Sequence, residues 1–164
     1  MFVADNFTPE PKIQQIAEAY ALDAIDFARD HFQLALDRSD ASVAHIETIL
    51  GVFHVQLADA KPSEEQIFTF AKMFGSYVGE VFRSNHGATW GLIGGDKIAG
   101  LKFNGGGGLF WPWGRAQKRI INGPEDNVWH YYQWLVEKRT GSVPPTPRAV
   151  PARKKSWWER LRRG

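Results

Sequence analysis

Residues 63–103 read SEEQIFTFAKMFGSYVGEVFRSNHGATWGLIGGDKIAGLKF. Ser63 followed three residues later by Gln66 is a capping box and marks a helix start. Ile67, Phe70, Phe74, Tyr77, Val78 and Val81 then recur on one helical face. The helix should end near Gly87, a natural left-handed terminator. There the period changes. Ala88-Thr89-Trp90-Gly91-Leu92-Ile93 reads as a strand, Gly94-Gly95-Asp96 as a turn, and Lys97 to Phe103 as the returning strand of a hairpin. A long helix running straight into a hairpin predicts an α+β fold, with helices packed on a small antiparallel sheet of about three strands. Gly75 and Gly79 sit inside the helix, each costing about 1 kcal/mol against alanine. Four residues apart, they share a face where another backbone can approach. A tight helix crossing is the favoured reading, and a backbone-lined ligand cleft the alternative.

Upstream, Thr8 is a candidate cap with Pro9 at the first helical position. Ile13, Ile16, Tyr20, Ala24, Phe27 and Leu34, with His31 in the same row, predict the buried face of a first helix. Asp23, Asp26, Asp30 and Asp37 lie off that face and read as a solvated acidic side. Ser39 and Asp40 open a second helix with the seam Val43, Ile46, Leu50, Phe53 and Leu57. Downstream, the glycine run 105–108 reads as a flexible connection. Leu109 to Trp113 is a third extended piece, placed at an edge or strand end by Pro112. A short helical turn is expected over Arg115–Ile121. A last helix follows Asn122-Gly123-Pro124, with Val128, Tyr131 or Tyr132, and Leu135 on its apolar face and Lys138 and Arg139 near its end at Gly141. Residues 1–141 form the expected single domain.

The chain has 164 residues, about one ordinary domain, and a net charge of +2. It has no cysteine, which excludes disulfides, thiolate metal sites and a cysteine nucleophile. No apolar run approaches a membrane span, and Met1 to Pro11 lacks the basic start and apolar block of a secretory signal, so a cytoplasmic location is expected. Charge is segregated. Residues 1–141 are mildly acidic, whereas residues 142–164 carry seven basic residues and one acidic one. Val143-Pro144-Pro145-Thr146-Pro147 and Pro151 form a proline spacer. The end then carries Trp157, Trp158 and Leu161 among Arg160, Arg162 and Arg163, a segment expected to stay disordered until it docks. This asymmetry points to an anionic partner for the tail, or to the acidic body of its own chain. A protein partner is expected, with weak membrane or nucleic-acid contact as further possibilities for the tail.

Chemical motifs are sparse. Gly105–Gly108 lacks the Gly-Lys-Ser/Thr of a P-loop, and Gly94-Gly95-Asp96 does not open a helix, so no nucleotide fingerprint is present. Gly75-Ser76-Tyr77-Val78-Gly79 has its serine in the wrong place for a hydrolase elbow. His45 and His54 fall on opposite faces of one helix; no metal site and no cofactor is expected. One polar cluster remains: Glu80, Arg83, Asn85, His86 and Trp90 at the helix-to-strand junction. A carboxylate and a histidine near a turn could perform acid–base work, with Arg83 or Arg115 holding an anion. The favoured alternative pairs Arg83 with Glu80, turns Asn85 and His86 to helix-end carbonyls and buries Trp90. Trp111, Trp113 and Arg115 are candidates for a partner surface.

The stretch Gly75-Ser76-Tyr77-Val78-Gly79-Glu80-Val81, then His86-Gly87-Ala88-Thr89-Trp90, then Phe110-Trp111-Pro112-Trp113-Gly114-Arg115, resembles small bacterial domains grouped as DUF3806. The likeness covers residues 40–137. It implies a bacterial, cytoplasmic α+β domain and carries over no activity. The reading is therefore a non-enzymatic binding or interaction module with a docking tail, the alternative being a small enzyme or anion-binding protein using Glu80, Arg83 and His86.

Overall fold

The computed structural model describes residues 6–148. The tail candidates Trp157, Trp158, Arg160, Leu161, Arg162 and Arg163 lie outside them.

Strand β1 (Phe7–Pro9) leads into helix α1 (Pro11–Phe32); a 3₁₀ turn (Asp40–Ser42) leads into α2 (Val43–Ala60), followed by α3 (Glu64–His86). The hairpin β2 (Ala88–Ile93) and β3 (Ile98–Phe103), the short β4 (Leu109–Phe110), α4 (Pro112–Asn122), a second 3₁₀ turn (Pro124–Asp126) and α5 (Val128–Thr140) complete it. The four strands lie in sequence order, all antiparallel. The architecture is α+β, with one strand more than expected.

Helix α3 organises the rest. Its capping box is formed in both directions, with Gln66 N donating to Ser63 Oγ at 3.1 Å and Ser63 N donating to Gln66 Oε1 at 2.9 Å. It stops at Gly87, whose φ of 81° suits a residue without Cβ. From Phe74 to Phe82 every residue is buried, not one face only. A helix buried all round is a central helix: α1 and α4 pack along α3, and the sheet packs at its C-terminal end. The two glycines are both crowded. A Cβ on Gly75 would stand 2.5 Å from the Pro112 carbonyl oxygen, and one on Gly79 would overlap the Trp90 ring. Gly75 is thus a helix crossing, and Gly79 a seat for an indole.

Phe27, Phe53, Phe70 and Phe74 join α1, α2 and α3, with Phe53 and Phe70 centred 4.6 Å apart. Phe82, Phe103, Phe110 and Tyr132 join α3, the sheet and α5. By length and composition residues 40–60 would pass for a membrane span, contrary to the expectation from the sequence. In the fold Val43, Ile46, Ile49, Leu50 and Phe53 of that segment are core residues.

Four expectations need correction. Thr8 and Pro9 do not start α1. They belong to an edge strand, Pro9 pairing with Gly91, while Glu10 accepts from Lys12 N and Pro11 takes the first helical position. The buried stripe of α1 is Ala17, Ala21, Ala24, Ala28 and Phe32; Ile16 is exposed and Ile13 and Tyr20 are half-buried. Methyl-sized side chains let α1 lie close against α3, since interaxial distance follows side-chain size. Pro112 opens α4 and does not end a strand, and α4 runs from Pro112 to Asn122, longer than the turn expected at Arg115–Ile121. Finally, α5 begins only at Val128, where Asn127 Oδ1 accepts from His130 N.

Candidate functional site

The polar cluster at the end of α3 divides into two. Glu80 is 2% exposed. Its Oε2 accepts from Arg83 Nε at 2.7 Å and from Trp90 Nε1 at 2.9 Å, and its Oε1 from Arg83 Nη2 at 3.0 Å. Both carboxylate oxygens are therefore engaged, and the hydrogen bond that Arg83 donates to Glu80 raises the Arg83 pKa. Trp90 is core, as the structural alternative had it.

His86 and Asn85 turn the other way, toward Asp40. His86 Nε2 lies 2.9 Å from both Asp40 oxygens, Asn85 Nδ2 donates to Asp40 Oδ1 at 3.2 Å, and the Tyr132 hydroxyl donates to Oδ1 at 2.6 Å. Burial, then the hydrogen bond to Asp40, pushes the Tyr132 hydroxyl above the ordinary tyrosine range. Beside it Tyr77 OH and Ser42 Oγ stand 2.6 Å apart, and Arg38 N donates to the same phenol. His86 accepts at its carbonyl from Arg139 Nε, and Asn85 donates to the Arg38 carbonyl. These bonds tie the start of α2, the end of α3 and α5 together. Glu80 and His86 share no hydrogen bond. Asp40 and Tyr132 escape a reading of the sequence because they lie 46 residues before and after His86, and each also satisfies a local role, one in a helix start and one on an apolar face.

A second pair, a buried arginine with a half-buried glutamate, joins α2 to α4. Arg119 Nε donates to Glu47 Oε2 at 2.8 Å, and Glu47 Oε1 also accepts from Val128 N, the first residue of α5. Nothing in the periodicity of α4 singles out Arg119. Close by, His54 Nδ1 lies 2.7 Å from the Ile120 carbonyl oxygen. Among the described residues no three His, Asp or Glu side chains converge as a metal site requires.

The three candidates for a partner surface separate. Trp113 is half-buried, donating from Nε1 to Ser76 Oγ at 2.7 Å, its ring beside Trp90. Trp111 is 39% exposed and shares a concavity of about 260 Å³ with Arg115, Lys118, Tyr131 and Ile98. The Arg115 guanidinium lies 4.0 Å over the Tyr131 ring, and an ion pair with Asp126 at 3.3 Å steadies it. Tyr131 stacks on Trp134, 51% exposed, with the Lys138 ammonium 5.1 Å over the Trp134 ring. Trp111 stands just before α4 and Arg115 in its first turn, and Tyr131, Trp134 and Lys138 come from one face of α5. Burial, countered by Arg115, raises the Tyr131 pKa. The result is an aromatic stripe laced with cations on a body whose residues 1–141 are acidic overall. Of the two tyrosines offered for the apolar face of α5, Tyr132 is the buried one and Tyr131 is half-buried; helical spacing places Tyr131 with Trp134 and Lys138 on one face, but only the docking of α5 turns that face outward.

None of the concavities formed by Ile98 and Trp111, by Ile13 and Phe68, or by Phe7 and Lys102 is lined by Glu80 or His86. No protein-family model, no curated protein and no solved structure matches the chain, so the likeness to DUF3806 rests on its motif residues.

Proposed function

We propose that the chain is a non-enzymatic interaction module whose folded surface takes an acidic protein segment on the stripe of Trp111, Arg115, Tyr131 and Trp134. The observation that carries this is the exposure of two tryptophans on either side of an arginine already stacked on tyrosine. Large aromatics and arginine dominate binding hot spots: the aromatics bury much area with few rotatable bonds, and the planar guanidinium stacks on rings while directing several donors at the partner. Arg115, Lys118 and Lys138 supply the sign: a carboxylate-bearing segment completes them, and a basic one is repelled. The engaged carboxylate of Glu80 supports assigning the Glu80–Arg83 pair to the fold, in preference to acid–base chemistry.

The test uses the full chain and an alternating Glu/Leu peptide, with Gln/Leu and Lys/Leu peptides as controls. Amide and indole NMR shifts are followed through each titration. Shifts at Trp111, Arg115, Tyr131 and Trp134 with the acidic peptide alone are expected, and Trp134→Ala should weaken binding at least tenfold. Equal response to the neutral peptide, or shifts elsewhere, would overturn the assignment.

A further inference from the structure

A second surface feature lies on another side of the molecule. Ile13, Ile16 and Tyr20 of α1 face Phe68 and Lys72 of α3 and Trp113 of α4 across a groove of about 650 Å³, within the range of ligand-sized pockets. Its walls are apolar and aromatic, and Ile16 and Phe68 are partly open to water. Its aromatic faces already accept a cation: the Lys72 ammonium stands 5.5 Å from the Tyr20 ring centre and 5.0 Å from that of Phe68. Asp23 lies on its rim, and Asp26 and Asp30, each ion-paired with the exposed Arg29, follow along the same helix.

We propose that this groove is the seat of the chain's own C-terminal segment, with Trp157, Trp158 and Leu161 as anchors and Arg160, Arg162 and Arg163 toward the α1 carboxylates. Three observations support it. The first is charge. Residues 149–164 hold six basic residues and one acidic one, whereas residues 1–148 carry a net negative charge, so opposite charges held on one chain favour contact in cis. The second is chemistry: the groove offers aromatic walls with the Asp23 carboxylate at their edge, and the segment offers indoles and guanidinium groups. The third is reach. Gln133 Nε2 donates to the Pro144 carbonyl and Trp129 Nε1 to Thr146 Oγ1, which holds residues 144–146 against α5 beside its start. The start of α5 adjoins the end of α4, and Trp113 in the groove stands near the other end of α4, nine residues and about 14 Å from Asn122. From Arg148 to Trp157 there are nine residues, which extend to about 30 Å. The span is sufficient even with a detour around the surface. Docking in cis needs no second molecule, so its effective concentration is set by the spacer alone and reaches the millimolar range.

The chain has no cysteine, so a single introduced one is unique. A nitroxide on Ser156→Cys in the full chain should broaden the amide signals of Ile13, Ile16 and Phe68. Two conditions must also hold. The broadening is independent of protein concentration, and it disappears when Trp157, Trp158 and Leu161 are all replaced by alanine. Broadening that grows with concentration, or that passes to unlabelled copies mixed in, would assign the groove to a second molecule and overturn docking in cis. Broadening confined to the Trp111–Trp134 stripe, broadening nowhere, or broadening at the groove that survives the triple substitution would overturn it equally. Acidic-peptide binding at the stripe is read at different residues, so either proposal can fail without the other.

Discussion

Gly75→Ala should destabilise the fold even though it improves a helix. In an open helix the change gains about 1 kcal/mol. At Gly75 the new methyl would meet the Pro112 carbonyl oxygen at 2.5 Å, its carbon at 2.8 Å and the Trp113 Cα at 2.9 Å. All three are backbone atoms, so relief requires the start of α4 to move as a unit. That motion pulls Trp113 from Ser76, a bond of about 1 kcal/mol. Overpacking of this kind costs about 1–3 kcal/mol, and a rigid neighbour places Gly75 at the upper end. The net expectation is a loss of about 2–3 kcal/mol, or about 5–10 °C in Tm for a chain of this length. Gly79→Ala overlaps the Trp90 ring and meets the Leu101 methyl at 3.0 Å. These are side chains, so its loss should be smaller, about 1–2 kcal/mol. Gly95→Ala has nothing within 4 Å and should stay within about 0.5 kcal/mol. Urea unfolding of the three variants, with the transition slope compared, is the assay. A Gly75→Ala protein as stable as the parent would refute the close approach of α3 and α4.

Asp40→Ala should cost about 2–4 kcal/mol in urea unfolding, because the buried Tyr132 hydroxyl and the His86 and Asn85 side chains lose a shared acceptor. Glu47→Ala should cost about 3–5 kcal/mol, since it strands the buried Arg119 guanidinium and the first amide of α5 together; a loss under about 1 kcal/mol would show that Arg119 finds water instead. Burial raises the pKa of Tyr77, Tyr131 and Tyr132 in the folded state. The unfolded phenols titrate near pH 10. Above that pH the unfolded chain binds fewer protons than the folded one, so stability is full below pH ~10 and falls as pH rises beyond it. Denaturant midpoints at rising pH, with phenolate absorbance, check this; phenolate forming near pH 10 at these three residues in a still-folded chain would contradict it.

The long-helix-to-hairpin junction was legible because its signals are local. The capping box of Ser63 and Gln66, the stop at Gly87 and the change of period at Ala88 each depend on residues a few positions apart. So was the pairing of Glu80 with Arg83, three apart on one helix. Part of the first buried stripe was hidden for a local reason too: Ile13 and Ile16 are more hydrophobic than Ala17, Ala21 and Ala28, and Tyr20 offers more apolar area than any of them. Yet α3 accepts the alanines, because close packing rewards fit to the neighbour over apolar size. The paired state of Pro9 depends on Gly91, 82 residues away, whose missing side chain leaves room for the Thr8 carbonyl and the Phe7 ring.

The candidate sites divide along the same line. Trp111, Trp113 and Arg115 are adjacent in sequence, and composition alone marks them as interface material. Helix α4 separates them, sending Trp113 to Ser76 and leaving Trp111 and Arg115 outside, because residues two apart on a helix point in different directions. His86 met Asp40 and not Glu80, since Glu80 was already claimed by Arg83 and Trp90. Sequence by itself therefore determined the helices, the hairpin, the segregation of charge and the residue types available for binding. Tertiary structure alone decided which of them meet, because burial and long-range hydrogen bonds are settled by packing between elements that local spacing does not encode.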